Sequence, residues 1–329
     1  MSARRLPAAP VLVAPDSFKG TIAADRVAAA VAAGLRDGGR EALELPVADG
    51  GEGTMDALLA ALGGERRPAT VTDPLGRPVR AHYGLVGSGA TAIVEMAQAS
   101  GLGLVAEDER DAWTASTRGT GELIAAAVGA GAETVLVAVG GSATTDGGAG
   151  AVEALAEAAI RPEIVVLCDV RTPWEDAPRV FGPQKGADRA TVRHLERRLA
   201  ELARRAPRDP RGVPMTGAAG GLAGGLRAHL GASLVPGASY VLDAIGFDER
   251  MRRARFVVTG EGRLDEQTLT GKVVGEVATR CRQAGVACHA VVGENALDDF
   301  GARLIDLSSV TEAGTTRRLR AAGRRLAEL

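Results

Sequence analysis

The three lysines of this chain all lie beside a glycine. Lys19 precedes Gly20, Lys185 precedes Gly186 and Lys272 follows Gly271, whereas every other basic residue among the 39 is arginine. A lysine ammonium is a compact charge that suits a single phosphate or carboxylate oxygen better than a guanidinium fork does. Glycine lets backbone N–H groups approach the same anion. We therefore expect at least two of these lysines to contact a bound anion.

Carboxylates and further glycines occur in the same kind of loop. Phosphoryl transfer requires backbone amides around phosphates, carboxylates for Mg²⁺, cations on the transferring group and a residue that positions the acceptor hydroxyl. Gly50–Gly51 and the 140–142 loop offer the amides. Glycine and aspartate are also common turn residues, but four such loops after four strands favour a site. The candidate carboxylates are Asp16, Asp49, Glu52, Asp146, Glu261 and Asp265.

Better-known catalytic motifs are absent. Lys272 has Glu266 where a Walker A loop needs glycine, and Gly119-Thr120-Gly121 has Ile124 where a dinucleotide fingerprint needs one. Thr144 follows Ser142 at the place where a nucleophile elbow requires glycine. The four histidines lie outside the glycine-rich loops, which argues against histidine catalysis and zinc.

Composition narrows the class of protein. A net charge of −2 and an aromatic content of 3% do not favour nucleic-acid binding. No stretch reaches the roughly 20 apolar residues of a membrane helix. Three cysteines at uninformative spacing favour a reducing compartment, so we expect a cytoplasmic protein. A length of 329 residues suits two domains.

Short apolar runs alternate with glycine-rich loops and helical periods. Apolar runs at 11–14, 43–47, 134–139 and 256–259 each end in one of the acidic loops. This alternation predicts an α/β protein with mainly parallel sheets, in which ligands bind at the carboxyl ends of the strands. The strands before Asp16, Asp49 and Glu261 should share one parallel sheet. A turn at 73–78 between alternating segments predicts a second domain with antiparallel character.

Taken in order, the loops resemble the bacterial glycerate kinase family of the first type. The match extends from about residue 11 to residue 292 and includes Gln267-Thr268-Leu269. The stretches that carry it are 14–20, 48–54, 140–150, 180–187, 242–248 and 259–272.

The resemblance implies a kinase that uses ATP and Mg²⁺ to phosphorylate D-glycerate, with 2-phosphoglycerate as the favoured product, in a cleft of Gly, Asp and Lys loops. It implies a flavodoxin-like α/β domain built from residues 1–66 and 250–329. A mixed α/β domain, residues 67–249, is inserted into it. The expected ligands are glycerate and ATP, without nucleic acid or membrane, and a homodimer is compatible with the family.

Roles follow for individual residues as hypotheses. Asp49 or Asp146 positions or deprotonates the acceptor hydroxyl, and Arg118 or Lys185 holds the substrate carboxylate. Lys272, a third candidate catalytic residue, and Lys19 neutralise phosphate charge. Glu52, Glu261 and Asp265 are the expected metal ligands. The other expected substrate or phosphate contacts are Asp16, Ser17, Gly50, Gly51, Gly140, Gly141 and Ser142.

The chain departs from the family pattern at three places. It looks shorter between residues 158 and 164, Thr145 stands where asparagine is usual, and 171–174 replaces an Asp-Asn-Pro-Leu-like stretch. Alternatives therefore stay open: a kinase of another small hydroxy acid, a lyase or isomerase acting on a phosphorylated substrate, or a non-catalytic hydroxy-acid sensor. The sequence leaves open which hydroxyl is phosphorylated.

Overall fold

A computed structural model describes residues 9–266, 268, 272–298, 301 and 304–329. The strands are β1 (Val11–Pro15), β2 (Ala42–Glu44), β3 (Glu65–Thr72), β4 (Pro78–Val86), β5 (Thr91–Glu95), β6 (Thr134–Ala138), β7 (Glu163–Cys168), β8 (Ser233–Pro236), β9 (Val257–Gly260), β10 (Arg263–Leu264), β11 (Cys288–Val292), β12 (Glu294–Asn295) and β13 (Ser309–Glu312). The helices are α1 (Ala24–Asp37), α2 (Thr54–Leu62), α3 (Ala97–Ser100), α4 (Arg118–Gly129), α5 (Ala149–Glu157), α6 (Ala177–Phe181), α7 (Arg189–Arg205), α8 (Leu222–Leu230), α9 (Gly237–Ala244), α10 (Phe247–Arg252), α11 (Val273–Ala284) and α12 (Thr316–Leu326).

The chain folds as two compact units, and both are α/β. The parallel unit contains the described residues of 1–48 and 241–329, and the mixed unit contains residues 49–240. The first is therefore built from both ends of the chain. The dividing points differ from the predicted 66/67 and 249/250. At the first, α2 packs on β4 and β5 of the mixed unit, and at the second, α10 packs on α11 of the parallel unit.

The parallel unit has a five-stranded sheet in the order β13-β11-β9-β1-β2. All its pairings are parallel, with Leu12 opposite Val257 and Val11 opposite Ala42. The predicted common sheet for the strands before Asp16, Asp49 and Glu261 is thus confirmed. β2 is shorter than the predicted 43–47 strand, although Val47 still donates a backbone hydrogen bond to the Pro15 carbonyl.

Two helices of the parallel unit meet through glycines. A Cβ on Gly34 of α1 would lie 1.9 Å from the Arg320 carbonyl oxygen of α12, and one on Gly323 would lie 2.1 Å from that of Val31. No larger residue fits without moving a helix backbone. Leu319 and Leu326 of α12 are buried beside Val31 and Leu35 of α1, so this contact forms much of the core on one face of the sheet.

The mixed unit has a six-stranded sheet in the order β3-β4-β5-β6-β7-β8. β3, β4 and β5 pair antiparallel, as the turn at 73–78 predicted, and β5 to β8 pair parallel. Val135, Leu136 and Val137 of β6 are all buried, as expected of a strand covered on both faces. No helix in the described ranges combines the length and hydrophobicity that a membrane crossing needs.

Candidate functional site

The loop that follows β6 presents a run of backbone amides. Leu102 donates a hydrogen bond to the Gly141 carbonyl at 2.7 Å, and Ala143 donates one to Ser100 at 3.0 Å. Within the described residues, the amides of Gly140, Gly141 and Ser142 have no such acceptor. Gly141 has φ of 68°, a left-handed conformation that favours glycine. Successive amides of this kind form an anion-binding nest.

A second predicted loop, at 49–52, lies against the first. Val139 donates to the Gly50 carbonyl at 3.0 Å, and the Asp49 carboxylate accepts from the Gly51 amide at 3.0 Å. A Cβ on Gly140 would lie 2.7 Å from the Gly51 Cα. Position 140 therefore requires glycine at this contact, and the structure brings these predicted residues together.

Lys185 lies beneath the nest. Its side chain is fully buried, and Nζ donates to the Thr144 carbonyl at 2.5 Å and to Ser142 Oγ at 3.4 Å. Burial lowers the pKa of the Lys185 ammonium to about 7, and the negative charge of Asp146 opposes that shift. An amine in this position supports the loop and places positive charge behind it.

A cavity of about 190 Å³ opens beside the nest in the mixed unit. Two polar side chains in its wall, Asp169 and Gln184, were missed by the sequence reasoning. Asp169 directly follows β7, so the strand-end rule could have found it, but no glycine-rich loop marks the position. The lining residues are Leu102, Val139, Gly140, Gly141, Ser142, Asp169, Val170, Phe181, Gln184, Lys185 and Ala219.

Asp146 is buried and its carboxylate is saturated by hydrogen bonds. Oδ2 accepts from the amide and the hydroxyl of Thr117, both at 2.8 Å, and from the Gly150 amide at 3.2 Å. Oδ1 accepts from the Gly148 amide at 3.0 Å. These bonds fix the loop and the start of α5, and Asp146 is not among the cavity-lining residues.

Two other predicted residues of the mixed unit lie outside the cavity wall. The Arg118 guanidinium pairs with Glu122 at 3.1 Å and with Glu157 at 2.5 Å, and both partners raise its pKa. Glu52 is exposed, and a Cβ on Gly141 would lie 2.3 Å from its Oε1. Glu52 thus lies next to the nest, whereas Arg118 is engaged on the surface of α4 and α5.

A missed carboxylate, Glu95 of β5, supports the start of α2, directly after the 49–52 loop. Its Oε1 accepts from the Met55 amide at 2.9 Å, and it also accepts from the Gly53 amide. Burial raises the pKa of Glu95, and the charge of Asp56 adds to that shift. The side chain holds the first turn of α2 in place.

In the parallel unit, Asp16 and Lys19 follow β1. Asp16 is buried, its Oδ1 accepts from the Ser17 amide at 2.6 Å, and its own amide donates to Gly260 at 2.8 Å. Lys19 is exposed and acts electrostatically on Glu261. The 16–20 loop and the start of the 261–265 loop are therefore neighbours.

The 261–272 segment gathers two carboxylates and a lysine. Lys272 Nζ lies 4.0 Å from Glu261 Oε2 and 3.8 Å from Asp265 Oδ1, and the Thr268 hydroxyl donates to Glu261 Oε1 at 2.7 Å. Burial raises the pKa of Glu261 to about 7. The Asp265 charge adds to that shift, and Thr268, Lys272 and Lys19 oppose it. Gln267, Leu269, Thr270 and Gly271 lie outside the described residues.

The predicted metal ligands belong to different units, Glu261 and Asp265 to one and Glu52 to the other. Among the described side chains, no group of three carboxylates, imidazoles or thiolates converges as a metal site. Mg²⁺ in kinases is usually bound by one or two carboxylates together with substrate phosphates. The Glu261–Asp265 pair, buried or half-buried beside a lysine, fits that smaller ligand set.

Comparisons with known proteins agree with these features. The sequence model of the glycerate kinase family matches residues 11–161 and 156–316. The chain is 39% identical over 322 residues to glycerate kinase of Halalkalibacterium halodurans, covering 86% of this chain and 85% of that protein. It is 39% identical over 330 residues to glycerate 2-kinase of Escherichia coli, covering 88% and 86%. The chain belongs to the glycerate kinase family.

A solved structure extends the likeness to the fold. A crystal structure from Salmonella typhimurium LT2, assigned as glycerate kinase 2, matches with a TM-score of 0.82 and 35% identity over 98% of both chains. The predictions of a two-part α/β fold and of a phosphotransferase of the glycerate kinase family are confirmed. The two segments of the family match meet at residues 156–161, close to the place where the chain was expected to be short.

The altered 171–174 stretch of this glycerate kinase family member contributes a buried tryptophan. Trp174 donates its indole N–H to the Leu199 carbonyl at 3.0 Å, and its ring lies 2.7 Å from where a Cβ on Gly147 would be. It thus packs α7 against the loop that carries Asp146. Thr145 is also buried, and its hydroxyl has no hydrogen-bond partner among the described residues.

Proposed function

We propose that the chain transfers the γ-phosphoryl group of ATP to D-glycerate, with Mg²⁺, and forms 2-phosphoglycerate. The observation that carries this proposal is the cavity beside Gly140, Gly141 and Ser142, whose amides lack acceptors in the described structure and stand over the buried Lys185. Amides and an ammonium are the donors that a small carboxylate requires. Membership of the family and the likeness to a glycerate 2-kinase support the choice of substrate.

Each group of residues is assigned a part of the reaction. The amides of the nest bind the glycerate carboxylate, with Lys185 supplying charge from behind. Asp49 is assigned to holding the Gly50–Gly51 loop, since its carboxylate accepts from the Gly51 amide. Asp146 is assigned to fixing its own loop, through the hydrogen bonds that its two oxygens accept. Arg118 is paired with two glutamates and is a weaker candidate for the carboxylate.

Lys272 and Lys19 are assigned to the phosphates. Lys272 lies about equally far from Glu261 and Asp265, close enough to attract both but beyond hydrogen-bond distance. Glu261 and Asp265 would hold Mg²⁺, which neutralises phosphate charge when bound. Asp16 and Ser17 shape the neighbouring loop. The three cysteines are buried free thiols, which supports a cytoplasmic location, and a homodimer stays a prediction.

A coupled assay tests the proposal directly. Purified protein is given ATP, Mg²⁺ and a panel of small hydroxy acids, ADP release is followed, and phosphorus NMR of the product identifies the esterified hydroxyl. We expect the highest kcat/KM with D-glycerate and a phosphate on carbon 2. Faster turnover of another acid would make the chain a kinase of that acid.

Controls separate the remaining alternatives. Chelation of divalent ions should abolish turnover, and Mg²⁺ or Mn²⁺ should restore it better than Zn²⁺ because the candidate ligands are oxygens. Tight glycerate binding without ADP release would indicate a sensor. Conversion of a phosphorylated acid without ATP would indicate a lyase or isomerase.

A further inference from the structure

Asp169 is the carboxylate that lines the cavity of the mixed unit, and it is the only one among the described residues of that wall. The two aspartates singled out in the sequence, Asp49 and Asp146, do not line it. In addition, the four hydrogen bonds that Asp146 accepts occupy its carboxylate oxygens, which argues against a direct role in the reaction. The acidic residue in the wall of this substrate-sized space therefore follows β7 and belongs to neither glycine-rich loop.

Sheet register places Asp169 beside the nest. Ala138 of β6 pairs with Leu167 of β7, and the Val139 amide donates to the Leu167 carbonyl at 3.3 Å. Continuing that register brings Asp169 opposite Gly140, on strands about 4.8 Å apart. Gly140 begins the run of amides that have no acceptor among the described residues, so a small acid bound there would have its carboxylate at the nest and its hydroxyl groups within reach of the next strand end.

The rest of the cavity wall supports this orientation. Phe181, Leu102 and Val170 give it apolar surface, and Lys185 stands behind the nest. The Lys185 ammonium and the amides of the nest thus lie at one part of the cavity wall. Asp169 supplies the negative charge of the wall. A substrate carboxylate is repelled by Asp169 and attracted to the nest, whereas a hydroxyl donor is attracted to Asp169.

We propose that Asp169 is the catalytic base of the phosphoryl transfer. This inference rests on the proposed function. The Asp169 carboxylate accepts the proton of the substrate hydroxyl as that oxygen forms a bond to the γ-phosphorus of ATP. The bond between the γ-phosphorus and the bridging oxygen breaks, and its electron pair leaves with ADP. Asp49 then acts by positioning the Gly50–Gly51 loop.

The experiment compares Asp169→Asn and Asp169→Ala with the wild type. Asparagine keeps the size and the hydrogen-bonding shape but cannot take a proton, so kcat for D-glycerate should fall about 100- to 10,000-fold. The Kd for D-glycerate, measured by calorimetry without ATP, should change less than about threefold. Added formate should partly restore kcat in Asp169→Ala, because a small carboxylate can enter the vacated space.

Asp176→Asn is the matched control, because Asp176 is a surface residue of the same unit paired with Arg179. It should leave kcat unchanged. A kcat within threefold of wild type in Asp169→Ala, or a loss confined to glycerate affinity, would overturn the assignment of the base. A wild-type protein that releases no ADP with any hydroxy acid would instead sink the proposed function, and the role of Asp169 with it.

Discussion

The acidic loops of the two units look alike in sequence but hold their carboxylates in different ways. Asp146 of the mixed unit accepts four hydrogen bonds, three from backbone amides and one from a hydroxyl. Glu261 and Asp265 of the parallel unit share a lysine whose Nζ lies 4.0 and 3.8 Å from their oxygens. The first carboxylate is fixed by backbone amides, whereas the second pair faces a lysine ammonium at ion-pair distance.

This contrast indicates that the same residue types serve different purposes in the two units. Backbone donors fix a carboxylate permanently, since they cannot move without unfolding the loop. A lysine at about 4 Å exerts attraction and is free to shift towards an arriving phosphate. We infer that Asp146 fixes its own loop in the mixed unit, and we propose that Lys272, Glu261 and Asp265 of the parallel unit act on phosphate.

Among the tests of this contrast, the largest expected effect comes from Lys272, which lies between Glu261 and Asp265. Lys272→Ala should lower kcat about 100- to 1,000-fold, because its ammonium would stabilise the transferring phosphoryl group more than bound ATP. The KM for ATP should change much less. Lys272→Arg should rescue poorly, since the fork is wider than an ammonium.

Steady-state kinetics of both Lys272 variants measure this, after circular dichroism has confirmed that they fold. A kcat near the wild-type value in Lys272→Ala would remove Lys272 from the reaction. The parallel unit would then lose its assigned role in phosphate chemistry.

The next largest effect is expected for Asp146, whose carboxylate is saturated by hydrogen bonds, and it should appear as a loss of stability. Asp146→Asn places an amide N–H₂ against backbone donors, so the free energy of unfolding should fall by about 3 kcal/mol. Urea unfolding measures it, with exposed Asp209→Asn, a surface partner of Arg211, as the control expected to change little. If the Asp146→Asn protein folds with unchanged stability but loses activity, this interpretation is wrong and Asp146 acts in the reaction.

The smallest effect concerns the pH dependence that Lys185 gives to stability. Burial lowers the pKa of Lys185 to about 7, against 10.5 for an ordinary lysine. Between these values the unfolded chain binds more protons, so the free energy of unfolding should rise from pH 7 to pH 9, by at most about 2 kcal/mol from this group. Below pH 7 both states hold the proton and the contribution levels off.

Lys185→Met should remove that rise while leaving the other titrating groups in place. Urea unfolding of both proteins at pH 7, 8 and 9 gives the difference between their slopes. Parallel pH profiles would show that Lys185 keeps its proton throughout this range, bound to the Thr144 carbonyl.

The elements that could be predicted from sequence are those with a strong local pattern. The apolar runs at 11–14 and 256–259 gave neighbouring strands, and the turn at 73–78 gave an antiparallel pair. Strand ends followed by acidic glycine loops located the nest and the lysine cluster. Such features depend on burial and backbone conformation, which short stretches of sequence specify.

What escaped prediction depends on partners distant in the chain. Arg118 pairs with Glu157 and Asp146 binds Thr117, so neither could be seen to be occupied from its own loop. Asp169 lies in the cavity wall because β7 pairs with β6, although its local sequence resembles no motif. The roles assigned to individual site residues remain predictions for the experiments above.

The glycine contact between α1 and α12 has a consequence for synthesis on the ribosome. Residues 49–240 form a continuous unit that can close as soon as it has emerged, whereas β1 and α1 emerge earlier and find β9 and α12 only at the end. At about 5–20 residues per second, that wait lasts on the order of tens of seconds. The nascent N-terminal segment therefore exposes apolar surface longest, and we expect chaperones to be needed there first.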